Sequence, residues 1–318
     1  MRETMHQVMA GEATPAQIGG WLIGLATKGE TVDEIVSAAV VMRSLATTVD
    51  GLQGPLTDIV GTGGDGARLF NVSTASAFVA AEGGARIAKH GNRSVSSTSG
   101  AADVLEAAGV RLELTPDRLR EAVERLHIGF LFAPMHHAAM RHAVTPRREL
   151  GVRTLFNLLG PLTNPAGATR LVLGVFDARW CEPLAEALGA LGAEHALVIH
   201  SLDGLDEFSI AAPTEVAELQ DGDVRRWRFD PAAAGITGAT LEALKVDSPD
   251  QSLALIRSAL GGEAGPAADI IALNAGAALY VSGQAATHLQ GIEAAREILA
   301  SGRALERLQA YARWSQSQ

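Results

Sequence analysis

Gly61-Thr62-Gly63-Gly64-Asp65-Gly66 places four glycines in six residues directly after a predicted strand at 57–60. Glycine lets the backbone curl so that successive N–H groups face one concavity, which is a cradle for oxyanions. Asn71-Val72-Ser73-Thr74 follows with N-cap side chains and the positive end of a helix, again suited to phosphate. The spacing is neither that of the P-loop nor that of the three-glycine dinucleotide fingerprint, so neither reading applies. A second cradle is Lys89-His90-Gly91-Asn92-Arg93-Ser94, which runs on through Val95, Ser96, Ser97, Thr98, Ser99 and Gly100. It brings a cation, amide and imidazole donors and several hydroxyls to the end of another strand, where open α/β sheets place ligands. Two such cradles in successive strand–helix turns point to a phosphorylated substrate with separated phosphates. The plainer alternative is a pair of ordinary strand–turn–helix links, with Asn71 and Ser99 serving as N-caps.

Two further clusters carry charge. Arg147-Arg148-Glu149 precedes the rigid turn Asn157-Leu158-Leu159-Gly160-Pro161-Leu162-Thr163-Asn164-Pro165, and one of the arginines suits a carboxylate ligand. Asp203-Gly204-Leu205-Asp206-Glu207 sets three carboxylates after a strand at 196–200. A hard cation such as Mg²⁺ binds through one or two carboxylates plus substrate phosphates, so this acidic turn gains meaning beside two phosphate cradles. His136 and His137 stand at a strand exit, where one of them would line a pocket. No His/Cys/Asp spacing suggests zinc, and the single Cys181, in a helix near 180–191, reads as a packing residue.

The elements that must hold these residues fall into two kinds. The first fifty residues are helical: Thr14-Pro15 opens one helix that Gly29 stops, and Thr31 with Glu34 forms a capping box for the next. Residues 50–55 form a turn-rich hinge. Short apolar strands then alternate with helices, the signature of a mostly parallel sheet. Strands are predicted near 57–60, 86–88, 128–132, 171–175 and 196–200, and helices near 72–82, 100–108 and 116–126. A hairpin of 215–219 with 224–229 turns around Asp221-Gly222-Asp223, and the chain is helical again from Pro249. The fold class is therefore α/β: a small all-helical domain plus a larger α/β domain with a mostly parallel central sheet. At 318 residues the length suits about two domains at the usual ~150 residues each. The 47% hydrophobic content suffices for a large core, and the net charge of −10 argues against non-specific nucleic-acid binding. The start of the chain has no secretory h-region, and no run approaches the ~18 apolar residues of a membrane span. A soluble, cytoplasmic protein is expected.

These motifs, in this order and at compatible spacing over nearly the whole chain, resemble anthranilate phosphoribosyltransferases. Gly61-Thr62-Gly63-Gly64-Asp65, Asn71-Val72-Ser73-Thr74, Lys89-His90-Gly91-Asn92-Arg93, Arg147-Arg148-Glu149-Leu150-Gly151, the 157–165 turn and Asp206-Glu207 carry the resemblance. It implies transfer of phosphoribose from phosphoribosyl pyrophosphate to the amine of anthranilate, a step of tryptophan synthesis. It also implies a homodimer formed through the small domain. The small domain would span 1–55 and be rejoined by about 137–160, with the α/β domain made of 56–136 and 161–318. By resemblance, Gly61, Gly64, Asp65, Asn71, Val72, Ser73, Thr74, Lys89, His90, Gly91, Asn92, Arg93, Ser94, Val95, Ser96 and Ser97 hold phosphoribosyl pyrophosphate. Gly61, Asn92 and Arg147 contact anthranilate, with His90, His137 and Pro161 lining its pocket. Ser73, Asp206 and Glu207 handle two Mg²⁺ ions per subunit, and no covalent nucleophile is expected.

The chain departs from the family pattern in three places. Leu69 stands where the pattern has Thr and Ala101 where it has Ser, both hydroxyls that touch the donor, and Thr98 replaces a residue that is often basic. Arg68 is the neighbour placed to compensate. The competing readings are a pyrimidine nucleoside phosphorylase, which does not need the Asp206-Glu207 pair, and a non-catalytic paralogue that binds nucleic acid, which the charge disfavours.

Overall fold

A computed structural model describes residues 1–64, 66–94 and 98–317. Helices α1 (Arg2–Ala10), α2 (Pro15–Lys28) and α3 (Val32–Ser44) open the chain. Thr14 and Thr31 each accept the backbone N–H three residues on, so both predicted caps form. The alternating part follows as β1 (Thr57–Gly61), α4 (Val72–Glu82), β2 (Ile87–Gly91), α5 (Ala101–Ala107), α6 (Pro116–Leu126) and β3 (Ile128–Phe132). Next come the short α7 (Ala133–His136), α8 (Arg141–Leu150) and α9 (Leu155–Leu159). The chain then forms β4 (Arg170–Gly174), α10 (Cys181–Ala190), β5 (His195–Ser201), β6 (Thr214–Gln220) and β7 (Asp223–Phe229). It ends in α11 (Pro249–Leu260), α12 (Pro266–Val281), α13 (His288–Ala300) and α14 (Arg303–Gln316), none of them long and apolar enough to cross a membrane.

Among the described residues the strands form one seven-stranded sheet in the order β3-β2-β1-β4-β5-β6-β7. The first five are parallel and the β6–β7 hairpin is antiparallel. Asp221 and Gly222 both adopt positive φ, 52° and 89°, as a two-residue hairpin with strand-matching twist requires. The chain reverses direction of growth between β1 and β4, so the ligand crevice of an open α/β sheet is expected at the carboxyl ends of those strands. One sheet face is covered by α4, α12 and their neighbours around Phe70, Phe78 and Ile271. The other carries a core that runs from Leu171, Leu173 and Leu184 into the helical bundle at Ile18, Leu22 and Ile35. Ala143 of α8 and Leu155 and Phe156 of α9 belong to that same core. The two crossings between bundle and sheet lie side by side: Thr47 N–H donates to His136 O and Val49 N–H to Pro165 O.

Three local expectations need correction. The second strand extends past 88 to Gly91, because five residue pairs with β3 hold it there. Lys89 and His90 are therefore buried strand residues, not loop residues. Asn71 does not cap α4 with its side chain, which bonds instead to Ser99 and Ser252. Gly100, not Ser99, is the N-cap of α5.

The junction of β1 with β2 is unusual. Five residue pairs join β1 to β4, whereas the β1–β2 register rests on Thr57 with Ile87. Beyond that pair the two strands part, and the glycine loop and the Lys89 strand end lie on either side of the opening.

Candidate active site

The acidic turn after β5 folds onto the glycine loop. Gly63 N–H donates to Asp206 Oδ2 at 3.0 Å, and Ser73 N–H, at the start of α4, donates to Glu207 Oε1 at 3.1 Å. This approach needs glycine beneath it, since a Cβ on Gly61 would stand 2.4 Å from Asp206 Oδ2 and one on Gly174 only 1.6 Å from Asp206 O. Asp203 does not join them: its carboxylate accepts from Ser209 Oγ at 2.6 Å, closing its own turn. Two of the three predicted carboxylates therefore converge.

Lys89 Nζ donates to Ile59 O across the strand opening and to Ser73 Oγ at 3.2 Å. Burial pulls the ammonium pKa down, while Asp58, Glu207 and Asp206 work in the opposite direction. The lysine thus ties β1, β2 and the start of α4 together. Thr74 Oγ1 is buried in the first turn of α4 and has no partner among the described residues.

Next along β2, and after α7, come two neutral imidazoles, His90 and His137. His90 Nδ1–H donates to Gly160 O at 3.2 Å, which leaves Nε2 as a bare acceptor, buried and without a partner among the described residues. The His137 ring packs 5.1 Å from it, centroid to centroid, and its Nε2 is also buried and unpartnered. Burial, assisted by neighbouring histidines, pushes His90 down to about 3 and His137 down to about 4, so both are neutral near pH 7. Pro161 is buried in the 3-10 turn Gly160–Leu162, directly after the Gly160 whose carbonyl accepts from His90. Of the two predicted arginines, Arg147 is half-buried with its guanidinium 5.3 Å from the Phe156 ring centroid, while Arg148 is exposed. Arg147 has no carboxylate partner among the described residues.

The chain matches the glycosyl transferase family helical bundle domain over residues 1–46 and the glycosyl transferase family a/b domain over residues 53–305. Anthranilate phosphoribosyltransferase of Thioalkalivibrio sulfidiphilus is 60% identical over 309 residues, covering 97% of this chain and 91% of that protein. The crystal structure of the Thermus thermophilus anthranilate phosphoribosyltransferase superposes with a TM-score of 0.94 at 48% identity, over 99% of this chain and 94% of that one. The chain belongs to the anthranilate phosphoribosyltransferase family. A Saccharomyces cerevisiae anthranilate phosphoribosyltransferase in complex with phosphoribosyl pyrophosphate and Mg superposes at 0.87 with 28% identity, over 96% of this chain and 86% of that chain. Neither the nucleoside phosphorylase nor the nucleic-acid-binding reading is supported by these relatives.

Within this member of the family the predicted site residues divide into groups. Gly61, Ser73 and Lys89 are drawn together with Asp206 and Glu207 by the contacts above, Gly64 takes the Arg153 contact, and His90 and Gly91 end β2. Asn71 has both side-chain atoms engaged: Oδ1 accepts from Ser99 Oγ at 2.6 Å and Ser252 Oγ at 2.7 Å, and Nδ2 donates to Ser99 O at 3.0 Å. Val72 has its side chain in the core and its N–H on Phe70 O, so its own atoms are turned inward. Arg93 faces α5, paired with Asp103 at 3.2 Å and Glu106 at 2.8 Å, while Ser94 N–H donates to Asp103 Oδ2. Asn92 is exposed. Asp65, Val95, Ser96 and Ser97 lie outside the described residues. Thr98 Oγ1 donates to Val246 O at 2.8 Å, and Val246 N–H donates to Arg68 O, so one strap links the two donor loops.

Sequence reasoning missed Arg153, Asp58 and Asn164. Arg153 stacks over Phe176 at 4.3 Å and donates to Gly64 O, gripping the glycine loop from the segment between α8 and α9. Its position six residues after Arg147 was the available signal, but nothing local shows that it reaches back to residue 64.

Proposed function

We propose that this crevice transfers the phosphoribosyl group from phosphoribosyl pyrophosphate to the amine of anthranilate, giving N-(5-phosphoribosyl)anthranilate and pyrophosphate. The observation that carries the reading is the meeting of Asp206 and Glu207 with the glycine loop and the start of α4, together with the neutral pair His90 and His137. In this reading the donor's phosphates lie against the glycine loop after β1 and the carboxyl end of β2, and Arg147 holds the acceptor's carboxylate. The glycosidic C1–O bond to pyrophosphate breaks, the amine nitrogen bonds to C1, and the nitrogen then gives up a proton. An aniline-type amine is unprotonated near pH 7, so a strong general base is not required. The demand is on a sugar carbon that becomes cation-like and on a leaving group that gathers negative charge. The bare Nε2 atoms of His90 and His137 accept N–H bonds from the acceptor and orient its lone pair.

Asp206, Glu207 and the Ser73 hydroxyl form an all-oxygen set of the kind Mg²⁺ takes together with substrate phosphates. Among the described residues no group of three or more His, Cys, Asp or Glu forms a protein-only metal cage, which suits a cation that arrives with its substrate. We place two Mg²⁺ ions per subunit here, where they would offset charge on the departing pyrophosphate. The working unit is a cytoplasmic homodimer. It joins through the small domain, where α2 presents exposed Ile23 beside Gly20 and Gly24. That domain is 1–55 with 137–160, and 56–136 with 161–318 forms the catalytic body.

The test is loss of anthranilate fluorescence on addition of phosphoribosyl pyrophosphate. Loss that depends on Mg²⁺ supports reaction, acceptor and metal together. No loss at high donor concentration would mean that the scaffold serves another acceptor.

A further inference from the structure

Where β1 and β2 part, side chains take over the work of the ladder. Asp58 Oδ1 accepts the His90 N–H at 3.1 Å. Asp58 Oδ2 accepts from Asn164 Nδ2 at 2.7 Å, and the same amide nitrogen donates to Ala88 O at 2.8 Å. Asn164 Oδ1 accepts the Ala166 N–H at 2.9 Å, so every polar atom of that side chain is used. Asp58 is fully buried and Asn164 nearly so. The amide of Asn164 thus sits in the opening between two strands of the sheet. It comes from the 157–165 turn, whose Gly160 carbonyl holds the His90 ring and is followed directly by Pro161.

We propose that Asp58 and Asn164 form a splice that sets the spacing between the donor cradle on β2 and the acceptor turn, and that both are positioning residues for the transfer. The inference rests on the functional reading above and assigns it a pair that touches neither substrate. A buried carboxylate is a poor way to hold two strands together, because desolvation opposes it and apolar packing or a continued ladder would do as well or better. What this pair adds is geometry. Both oxygens of one carboxylate are fixed, one by the strand that carries Lys89 and His90 and the other by the turn that carries Pro161. Misplacing reacting groups by ~1 Å can cost about 100-fold in rate.

Asn164→Ala removes the splice, and Asp58→Asn keeps its volume while setting two amide groups against each other. Each is assayed at saturating concentrations of both substrates, with melting temperature and circular dichroism recorded in parallel. The expected result is a fall in kcat of about 100-fold in either variant with each KM within about threefold, and a double variant no worse than the poorer single one. Glu218→Gln, buried at the far side of the sheet, is the control for lost stability alone and keeps kcat. Retention of kcat within about twofold below the melting temperature, a rise in KM alone, or losses that multiply in the double variant would each overturn the proposal. If Asn164→Ala does not fold, the near-isosteric Asp58→Asn decides by the same kcat and KM split. Turnover by the unsubstituted protein separates the two questions, since its absence would sink the functional reading and not the splice.

Discussion

Two carboxylates are fully buried in this one sheet, Asp58 on β1 and Glu218 on β6, and the protein treats them in opposite ways. Burial alone would raise both. At Glu218 it is outweighed by bonds from His195 Nε2 at 3.1 Å, Tyr280 OH at 2.7 Å, Trp227 Nε1 at 2.7 Å and Arg225 Nε at 3.1 Å, which hold the group at about 2. At Asp58 burial wins, and the group is pushed up to about 6 despite Lys89, Asn164 and the His90 N–H. The donors to Glu218 come from β5, β7 and α12, four side chains converging on one carboxylate, so the protein solvates that charge fully. The neighbours of Asp58 are shared: Lys89 also reaches Ser73, and Asn164 also holds Ala88 and Ala166. A buried charge kept for stability can have all its partners, whereas one beside a reaction shares them with the machinery.

Substitutions at the two ends of the sheet should therefore separate activity from stability. The largest effect is expected at the crevice: Asp206→Asn should lower kcat/KM by about 1,000-fold, worth about 4 kcal/mol, by weakening control of charge on the leaving group. Its melting temperature should stay close to that of the unsubstituted protein, and a collapse in denaturant stability would break the comparison. Next in size, Glu218→Ala strands His195, Trp227, Tyr280 and Arg225 and should cost about 3 kcal/mol of unfolding free energy. Urea titration measures this, and kcat well below the melting temperature should not move.

The pH dependence sharpens the same point. The folded pKa of Glu218 lies below its ordinary value, so its contribution to stability is complete above about 4.5 and is lost as pH falls toward about 2. The gap in melting temperature between the unsubstituted protein and Glu218→Gln should therefore be constant from pH 5 to 7 and close below about pH 4. A gap that widened on acidification would show that Glu218 is not the paired anion described. The smallest effect concerns the donors that the crevice lacks. Leu69 is half-buried in the strap that bridges to Lys245, and Ala101 opens α5. Restoring hydroxyls in the double variant Leu69→Thr with Ala101→Ser should lower the donor KM about tenfold for each bond formed, at ~1.5 kcal/mol for a hydrogen bond to a charged group. An unchanged donor KM would mean that Arg68 or another group already fills that role.

Much of the site was legible because its chemistry is written in contiguous runs. The glycine loop, the Lys89 run, the 157–165 turn and Asp206-Glu207 could each be read as short segments, and their order was enough for the family resemblance. The roles inside those runs were less legible. Arg93 looked like a phosphate cation and is held by Asp103 and Glu106 on α5, while Asp203 stood in the acidic run with Asp206 and Glu207 and closes its own turn on Ser209. In both cases the residue type was right for the chemistry and the direction of the side chain was decided by a neighbour.

The sequence by itself determined what depends on near neighbours along the chain: the helix starts at Thr14 and Thr31, the hairpin at Asp221-Gly222, and the alternation of strands and helices. Caps, turns and periodicity act within a few residues, so local order suffices to specify them. Tertiary structure alone decided that Lys89 and His90 lie on a buried strand, that Asn71 joins Ser99 to Ser252, that Arg153 reaches Gly64, and that Asn164 enters the opening beside Asp58. The partners in those last contacts lie 28, 181, 89 and 106 residues apart. They form only when burial of the two cores brings the strand ends together, because each buried polar group must then find its partner in whatever packing has placed beside it.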